Sequence, residues 1–242
     1  MLTDCPILHH DAQVILVNKP AGVLSHPNPG AITPRNRGAF LGPYDFNQKT
    51  FETDEGLVWL LHRLDQDTSG VLMAALDAAS AQKCRDAFDS SLIRKQYLAL
   101  VRGDPGEKGS WKDHLTLKRD GSKVRSFVLR GHDPNAELRF QRVGYSQSHK
   151  VSLLRIELLT GKTHQIRVQA NSRQHPLCGD DIYGDFSWNK KMQRELGGSR
   201  LFLHAHRLEF QHPSTHRKIS VLAPLPEELM HSLKAAGIDY SP

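Results

Sequence analysis

The fold is decided by the stretch Leu60-Leu61-His62-Arg63-Leu64-Asp65-Gln66-Asp67-Thr68-Ser69-Gly70-Val71-Leu72-Met73. Apolar residues enter and leave this stretch, and a short polar turn with Arg63, Asp65 and Asp67 lies between them. The apolar runs predict two buried segments, because short apolar runs bounded by turn residues are typical of core strands. Carboxylates presented on a turn by two buried segments are typical of a functional site.

The charge distribution predicts a polyanionic partner. The chain has 32 Lys and Arg against 26 Asp and Glu, which gives a net charge of +6. Between Leu117 and Arg173, twelve basic residues stand against four acidic ones, so the excess is concentrated in the middle third. Phosphate contacts dominate the affinity of proteins for nucleic acids, and such a segment suits that partner. A solvated basic face without a partner is the alternative.

Length and composition exclude several classes of protein. The 242 residues suffice for one sizeable core, and no apolar run approaches the roughly 18 residues of a membrane-spanning helix. The start of the chain does not resemble a signal peptide, so we expect a cytoplasmic protein. Cys5, Cys84 and Cys178 are odd in number and far apart, which predicts neither a disulfide framework nor a metal clip.

The first hundred residues contain clear start and stop signals. A strand is predicted from Gln13 to Asn18, and Lys19-Pro20-Ala21-Gly22 predicts a tight corner after it. Residues 26–54, rich in Gly, Pro and Asn, predict a long loop that leads into the polar turn. Asp77 is a candidate N-cap for a helix over about residues 78–90.

The remaining segments alternate in a way that favours strands. A strand is predicted from Ile93 to Val101, and residues 104–150 predict short hairpins on the surface. Residues 151–159 predict another strand, which resumes over residues 163–169 after Thr160-Gly161. A last helix is predicted from Glu227 to Ala236.

Several blocks together resemble the RluA family of RNA pseudouridine synthases. His62 to Gly70 matches the family signature H-R-L-D-x-x-T-S-G at every fixed position. Asn18 to Gly22 matches N-K-P-x-G, and Lys95 with Tyr97 matches K-x-Y. Residues 159–168 match the family's T-G-R-T-H-Q-I-R block, except that Lys162 stands where the family has its first arginine. Residues 174–184 match G-H-P-I-x-G-D-x-x-Y-G, except that Gln174 stands where the family has its first glycine. The resemblance covers about residues 13–233.

This resemblance implies an α+β fold, the pseudouridine synthase fold, with a mixed, largely antiparallel sheet, flanking helices and a central active-site cleft. The alternation in most segments supports the antiparallel part. We expect a single catalytic domain over residues 1–242 and a compact member of the family without an S4 domain. A monomer is the expected state.

The implied function is isomerisation of uridine to pseudouridine in ribosomal or transfer RNA. In the family, the aspartate of the R-L-D triplet is the catalytic residue, and the resemblance implies this role for Asp65. The last arginine of the family's motifs pairs with that aspartate, and the resemblance implies this role for Arg167. Tyr97 is expected against the flipped-out target base, with Ile166 as the opposite apolar wall. Arg63 resembles the arginine that fills the space vacated by the base. The predicted RNA contacts are Arg63, Lys95, Lys162, His164 and Arg173.

Structural roles remain as alternatives for three of these motif residues. Tyr97 alone would fit a half-buried strand tyrosine, and Arg63 would fit a simple ion pair with Asp65 or Asp67. Lys19 would serve in building the corner. Lys162 keeps the charge of the family's arginine but loses its two-pronged geometry, which argues against a planar contact with phosphate or base.

Two other functions and three chemical routes also stay open. The chain could be a non-catalytic RNA-binding protein on the same scaffold, or a nucleoside or glycoside hydrolase, although the usual carboxylate pair of the latter is not identifiable. In the isomerase, the carboxylate of Asp65 could attack C1′, add to C6 or remove the 2′-proton in a glycal route. None of these routes requires a cofactor or a metal.

Overall fold

The computed structural model describes residues 1–30, 36–120 and 123–241, which form thirteen β-strands and four α-helices. In chain order these are β1 (Ile7–His10), β2 (Val14–Lys19), β3 (Tyr44–Asp45), β4 (Thr50–Thr53), β5 (Gly56–Leu60), β6 (Ser69–Ala75), α1 (Ala78–Asp89), β7 (Arg94–Arg102), β8 (Lys108–Asp120), β9 (Lys123–Leu129), β10 (Ala136–Ser146), β11 (Val151–Leu158), α2 (Gln165–Ser172), α3 (Phe186–Leu196), β12 (Leu203–Gln211), β13 (Lys218–Leu222) and α4 (Glu227–Ala235). None of the described helices is long and apolar enough to cross a membrane.

The chain divides into two compact units. The first unit comprises Met1–Lys95 and Ala205–Ala223, and the second comprises Gln96–His204 and Pro224–Pro242. β12 therefore begins in the second unit and continues in the first. The single domain predicted over residues 1–242 stays a prediction.

The first unit is built on β6, all seven residues of which are buried. β2 pairs with β6 in antiparallel register, with Leu16 opposite Met73, and β3, β4 and β5 follow on from β6 as antiparallel neighbours. Its main core consists of Val14, Leu16, Val71, Met73, Cys84, Ile93, Leu208, Phe210, Val221 and Ala223. Because all residues of β6 are buried, residues 71–75 are apolar without alternation.

The second unit is an antiparallel sheet in the order β7-β11-β10-β8-β9. Its larger core packs strand residues of β7 and β11, such as Leu100 and Leu153, with residues of α3 and α4, such as Met192 and Leu229. A smaller cluster contains Val168 of α2 with Leu115 and Ala136. Helix α2 therefore packs in the smaller cluster, and helices α3 and α4 pack in the larger core.

Most expected elements are confirmed. The fold is α+β, and its sheets are largely antiparallel. β2 and α4 lie within one or two residues of the predicted bounds. Asp77 is the N-cap of α1, and its carboxylate accepts the N–H of Ser80 at 2.8 Å.

One local prediction is wrong, and two are correct only in part. Residues 163–169, predicted as a strand, belong mostly to helix α2, in which Gln165 to Ala170 are all buried. A helix buried on every side does not show the apolar stripe of a surface helix, so Ile166 and Val168 mimicked strand alternation. Within residues 104–150, β8 and β9 form an antiparallel hairpin, so the predicted hairpin is confirmed, but the 13-residue β8 and the 11-residue β10 are longer than expected. Residues 26–54, predicted as a long loop, contain the strands β3 and β4, and residues 31–35 of that prediction lie outside the described residues.

Candidate active site

Asp65 lies on the connection between β5 and β6, and this connection is held on one side by Ser25. The side-chain hydroxyl of Ser25 donates to the carbonyl of Leu64 at 2.9 Å and accepts the N–H of Leu64 at 2.8 Å. Inside the turn, the N–H of Thr68 donates to the carbonyl of Asp65 at 3.1 Å. The Asp65 side chain is partly exposed, as a group that meets a substrate must be.

Lys19 holds the same turn from its other side. Its side chain is fully buried, and its ammonium donates to the carbonyls of Pro20, Val23 and Gln66 at 2.7 to 3.0 Å. The carbonyl of Gln66 also accepts the N–H of Gly22 at 2.9 Å. A buried lysine needs such partners, since burying an unpaired charge is very costly. Lys19 therefore ties the corner after β2 to the turn that carries Asp65.

His62 fixes the entrance to the turn. Its Nε2 accepts the N–H of Met73 on β6 at 3.0 Å, and its ring lies 5.0 Å from that of Phe88, centroid to centroid. Burial, and secondarily the positive charge of Lys95, lower the pKa of His62 to about 3. The ring is therefore neutral at ordinary pH, which keeps Nε2 available as an acceptor.

Gly70 has a backbone that no other residue fits well. Its φ is +116°, and a side chain there would collide with the backbone of Ala205. The glycine of the signature is thus required where β6 begins, directly after the turn.

Two predicted RNA-contacting residues also lie in the first unit. Arg63 is exposed, two residues before Asp65. Lys95 is partly buried, with its ammonium 5.9 Å from the centroid of the Phe88 ring, and burial lowers its pKa. Lys95 thus lies beside His62 and Phe88, at the entrance to the turn.

In the second unit, Arg167 is clamped by Asp180. Nε and Nη2 of Arg167 donate to the two carboxylate oxygens of Asp180 at 2.8 and 2.7 Å. Both side chains are buried, with 4% and 0% exposed. Burial alone would raise the pKa of the Asp180 carboxyl, but the bonds and charge of Arg167 and the N–H groups of Tyr183 and Ile182 hold it below its ordinary 3.8. The pair is therefore ionised and fixed in orientation.

Tyr183 completes the surroundings of this pair. Its ring lies 5.5 Å from the guanidinium carbon of Arg167. Its hydroxyl accepts the N–H of Ser126 on β9 at 2.8 Å and hydrogen-bonds to Nδ1 of His164 at 3.0 Å. His164 precedes α2 with a left-handed backbone, φ +52°. Tyr183 thus connects β9, the start of α2 and the ion pair.

The other predicted residues of the second unit have varied surroundings. Ile166 is buried on α2, Lys162 is exposed before it, and Tyr97 is 8% exposed on β7 opposite Ile156. Arg173 donates to both carboxylate oxygens of Asp113, at 2.7 and 3.2 Å, and lies over the ring of Trp111. These contacts give Arg173 a structural role, and its RNA contact stays a prediction.

The structure therefore gathers the predicted residues into two groups. Asp65, Arg63 and Lys95 belong to the first unit, and Tyr97, Ile166 and Arg167 belong to the second, with Lys162, His164 and Arg173. Asp180 and Tyr183 had no predicted role. A signal was present, because both are fixed positions of the G-D-x-x-Y-G part of the block at residues 174–184.

A comparison with known families shows which family the chain belongs to. The profile described as RNA pseudouridylate synthase matches residues 13–172. The chain belongs to this family of RNA-modifying isomerases. The matched range contains Asp65, Tyr97 and Arg167, and the sequence-based assignment to pseudouridine synthases is confirmed.

The relatives that the chain matches carry names from the same family. The chain is 32% identical over 239 residues to the ribosomal large subunit pseudouridine synthase C of Pasteurella multocida, covering 95% of this chain and 67% of that one. It is 31% identical over 245 residues to the tRNA pseudouridine synthase C of Haemophilus influenzae, covering 96% and 97%. The structure of human RNA pseudouridylate synthase domain containing 4 has the same fold, with a TM-score of 0.73, 23% identity and coverage of 98% and 94%.

Proposed function

We propose that this protein converts uridine to pseudouridine in ribosomal or transfer RNA, with Asp65 as its catalytic carboxylate. The observation that carries the proposal is the support of the Asp65 turn. Backbone atoms on both sides of Asp65 are bonded to side chains that lie outside the turn, Ser25 at Leu64 and Lys19 at Gln66. A carboxylate held by its neighbours and left partly exposed is organised to act on a substrate.

The reaction breaks the N1–C1′ bond of uridine and joins C5 to C1′. N1 gains a proton, and the proton on C5 passes to solvent, so atoms balance without an oxidant or reductant. Asp65 can serve this isomerisation as nucleophile at C1′, by addition to C6, or as the base that removes the 2′-proton. Each role needs an ionised carboxylate. The target uridine must also leave its stack, which costs a few kcal/mol and favours loops over duplexes.

Arg167, Tyr97 and Ile166 are proposed to act on the same nucleotide. Arg167 would pair with Asp65 and hold its carboxylate in position. The clamp by Asp180 supports this role, since an arginine held at two points presents its remaining surface in one orientation. Tyr97 would stack on the extruded base, with Ile166 as the opposite apolar wall.

The target is proposed to be a loop uridine in ribosomal or transfer RNA, the two classes of RNA that the names of the relatives give. Arg63, Lys95, Lys162, His164 and Arg173 are proposed as RNA contacts, and binding should weaken steeply with salt.

Release of tritium tests the proposal. The protein is incubated with tRNA and, separately, with ribosomal RNA transcribed with C5-tritiated uridine, and tritium in the solvent is counted. Isomerisation frees the C5 tritium of each target. A hydrolase would free uracil that keeps its tritium, and a non-catalytic RNA-binding protein would release neither. Absence of solvent tritium from both RNAs would contradict the proposal.

A further inference from the structure

A column of aromatic rings runs from the core of the first unit to its surface. Phe40 and Phe51 are buried, and their ring centroids lie 5.6 Å apart. Tyr44 on β3 contacts Phe51 at 4.7 Å. The ring of His26 stacks on Tyr44, with centroids 5.0 Å apart and planes 8° from parallel. The outer rings therefore rest on buried ones, which fixes their position.

Phe46 forms the exposed end of the column. Its side chain is 46% exposed and meets Tyr44 edge to face at 5.1 Å and His26 at 6.0 Å. The carboxylate of Asp45 accepts the N–H groups of Asn47 and Gln48 at 2.7 and 3.0 Å, which holds the turn beyond Phe46. We name His26, Tyr44 and Phe46 the aromatic platform. Single exposed apolar residues are common, but three rings in mutual contact form a surface patch.

Positive charges lie around this platform. Arg63 is close enough for its charge to act on both His26 and Tyr44, and Arg85 acts on Tyr44. The guanidinium of Arg85 also donates to the carbonyl of Gln48 at 3.3 Å. Burial, and then the charge of Arg63, lower the pKa of His26, so its ring stays neutral and presents an aromatic face. Aromatic faces beside arginines are the features with which proteins hold unpaired nucleotides.

We propose that the aromatic platform, with Arg63 and Arg85, is a binding site for an unpaired nucleobase that neighbours the target uridine. Arg63 connects the platform to the reaction, because it is two residues from Asp65 and is proposed to fill the space that the uridine leaves. The inference rests on the proposed function for the identity of the target, while base binding by the platform can be measured without turnover.

The physical reason for such a site is the cost of flipping. A flipped uridine leaves its neighbour without a stacking partner. An aromatic face restores that stacking for any base, because every base has a π-face, while Arg85 contacts a backbone phosphate. The platform would therefore select flexible, single-stranded segments and would discriminate weakly between neighbouring bases.

Binding of two single-stranded probes tests the inference. Fluorescein-labelled oligouridylate of twelve nucleotides is compared with a twelve-unit ribose-phosphate backbone that lacks bases, by fluorescence anisotropy. We expect the double variant Tyr44→Leu/Phe46→Leu to bind the oligouridylate at least about fivefold more weakly than the wild type, the effect of losing one stacked base. Its affinity for the abasic backbone should equal that of the wild type.

Matched variants separate stacking from other effects. Tyr44→Phe and Phe46→Trp keep the rings and should bind oligouridylate as the wild type does. Phe186→Leu removes a 78% exposed phenylalanine of the second unit and should also change nothing. Circular dichroism checks that each variant is folded. If the double variant does not fold, Phe46→Leu alone, a change at an exposed position, still tests the platform.

The outcomes keep the two proposals apart. Equal affinity of the wild type and the leucine variants for oligouridylate would overturn the platform, even if the wild type releases tritium from RNA. Loss of affinity for both probes in equal measure would also overturn it, because stacking requires bases. Loss confined to oligouridylate with no tritium release from any RNA would support the platform and contradict the isomerase.

Discussion

The carboxylate of Asp180 holds the guanidinium of Arg167 at two points, with bonds of 2.8 and 2.7 Å between buried groups. Two further N–H groups, those of Ile182 and Tyr183, donate to the same carboxylate at 2.9 and 3.0 Å. The turn after Gly179 and helix α2 are thereby joined through a single acidic side chain. Arg167, which is proposed to pair with Asp65, thus has its own geometry fixed by a second aspartate.

Asp180→Asn should destabilise the protein by about 3 kcal/mol, because it leaves the buried Arg167 without its counter-charge. The free energy of unfolding is measured by urea denaturation. Asp181→Asn is the matched control, since Asp181 is exposed and next in sequence, and it should change stability by less than about 0.5 kcal/mol. Equal stabilities of the two variants would contradict a structural role for the ion pair.

The stability difference between the wild type and Asp180→Asn should depend on pH. The pKa of Asp180 lies below its ordinary 3.8 in the folded protein, so the unfolded chain takes up this proton first on acidification. The stability from the carboxylate is therefore fully present above about pH 4 to 5 and lost as pH falls through the lower native pKa. The gap between wild type and Asp180→Asn should be constant from about pH 7 to 5 and narrow below about 4. A gap that widens on acidification would contradict this assignment.

His62→Leu should cost about 1 to 3 kcal/mol, because the N–H of Met73 loses its acceptor. His62→Gln offers an amide oxygen near the position of Nε2 and should recover part of the loss. Urea denaturation measures both. The leucine variant should also lower kcat more than it raises KM, since the entrance to the Asp65 turn is loosened while the RNA-contacting surface remains.

Acidification gives a second check on His62. The unfolded histidine takes up a proton near pH 6.5, whereas the folded one does so only near 3. The wild type should lose stability as the pH falls between these values, with a slope of at most about 1.4 kcal/mol per pH unit, the limit for the uptake of one proton. His62→Gln should lack this component. An identical slope in the variant would show that another group is responsible.

Lys19→Met should destabilise the protein by about 3 kcal/mol or more, because three carbonyls lose a charged donor. Lys83→Met is the control, since the ammonium of Lys83 donates to one carbonyl, that of Pro213. It should cost less than about 1 kcal/mol. Thermal and urea unfolding measure both variants. A smaller effect at Lys19 than at Lys83 would contradict its role in holding the Asp65 turn.

The sequence predicted the fold best where local signals and packing agree. The residues of β2 alternate little, but a Pro-Gly corner marks the end of the strand, and Asp77 marks the start of α1 as its N-cap. The bounds of both elements were therefore predicted to within one or two residues. Helix α2 was predicted as a strand because it is buried on every side. The length of β8 was missed because its exposed, polar residues are typical of loops, although the pairing with β9 and β10 makes it a strand.

The candidate site was only partly predictable for a related reason. Motif spacing predicted roles for Asp65, Tyr97 and Arg167, because the family motifs fix their positions in the chain. The clamp of Asp180 on Arg167 joins residues 13 apart on a turn and a helix, and the aromatic platform joins His26 to Tyr44 across 18 residues. Such contacts depend on tertiary packing, which no periodicity in the sequence reports.

The role of Asp65 is tested most directly by tritium release from C5-tritiated RNA by two variants, Asp65→Asn and Asp67→Asn. Both aspartates lie on the same turn, and each change removes one charge with little change in volume. We predict that Asp65→Asn stays folded and binds RNA but releases no tritium, while Asp67→Asn keeps most of the wild-type rate. Release by Asp65→Asn at a rate close to that of the wild type would contradict the account.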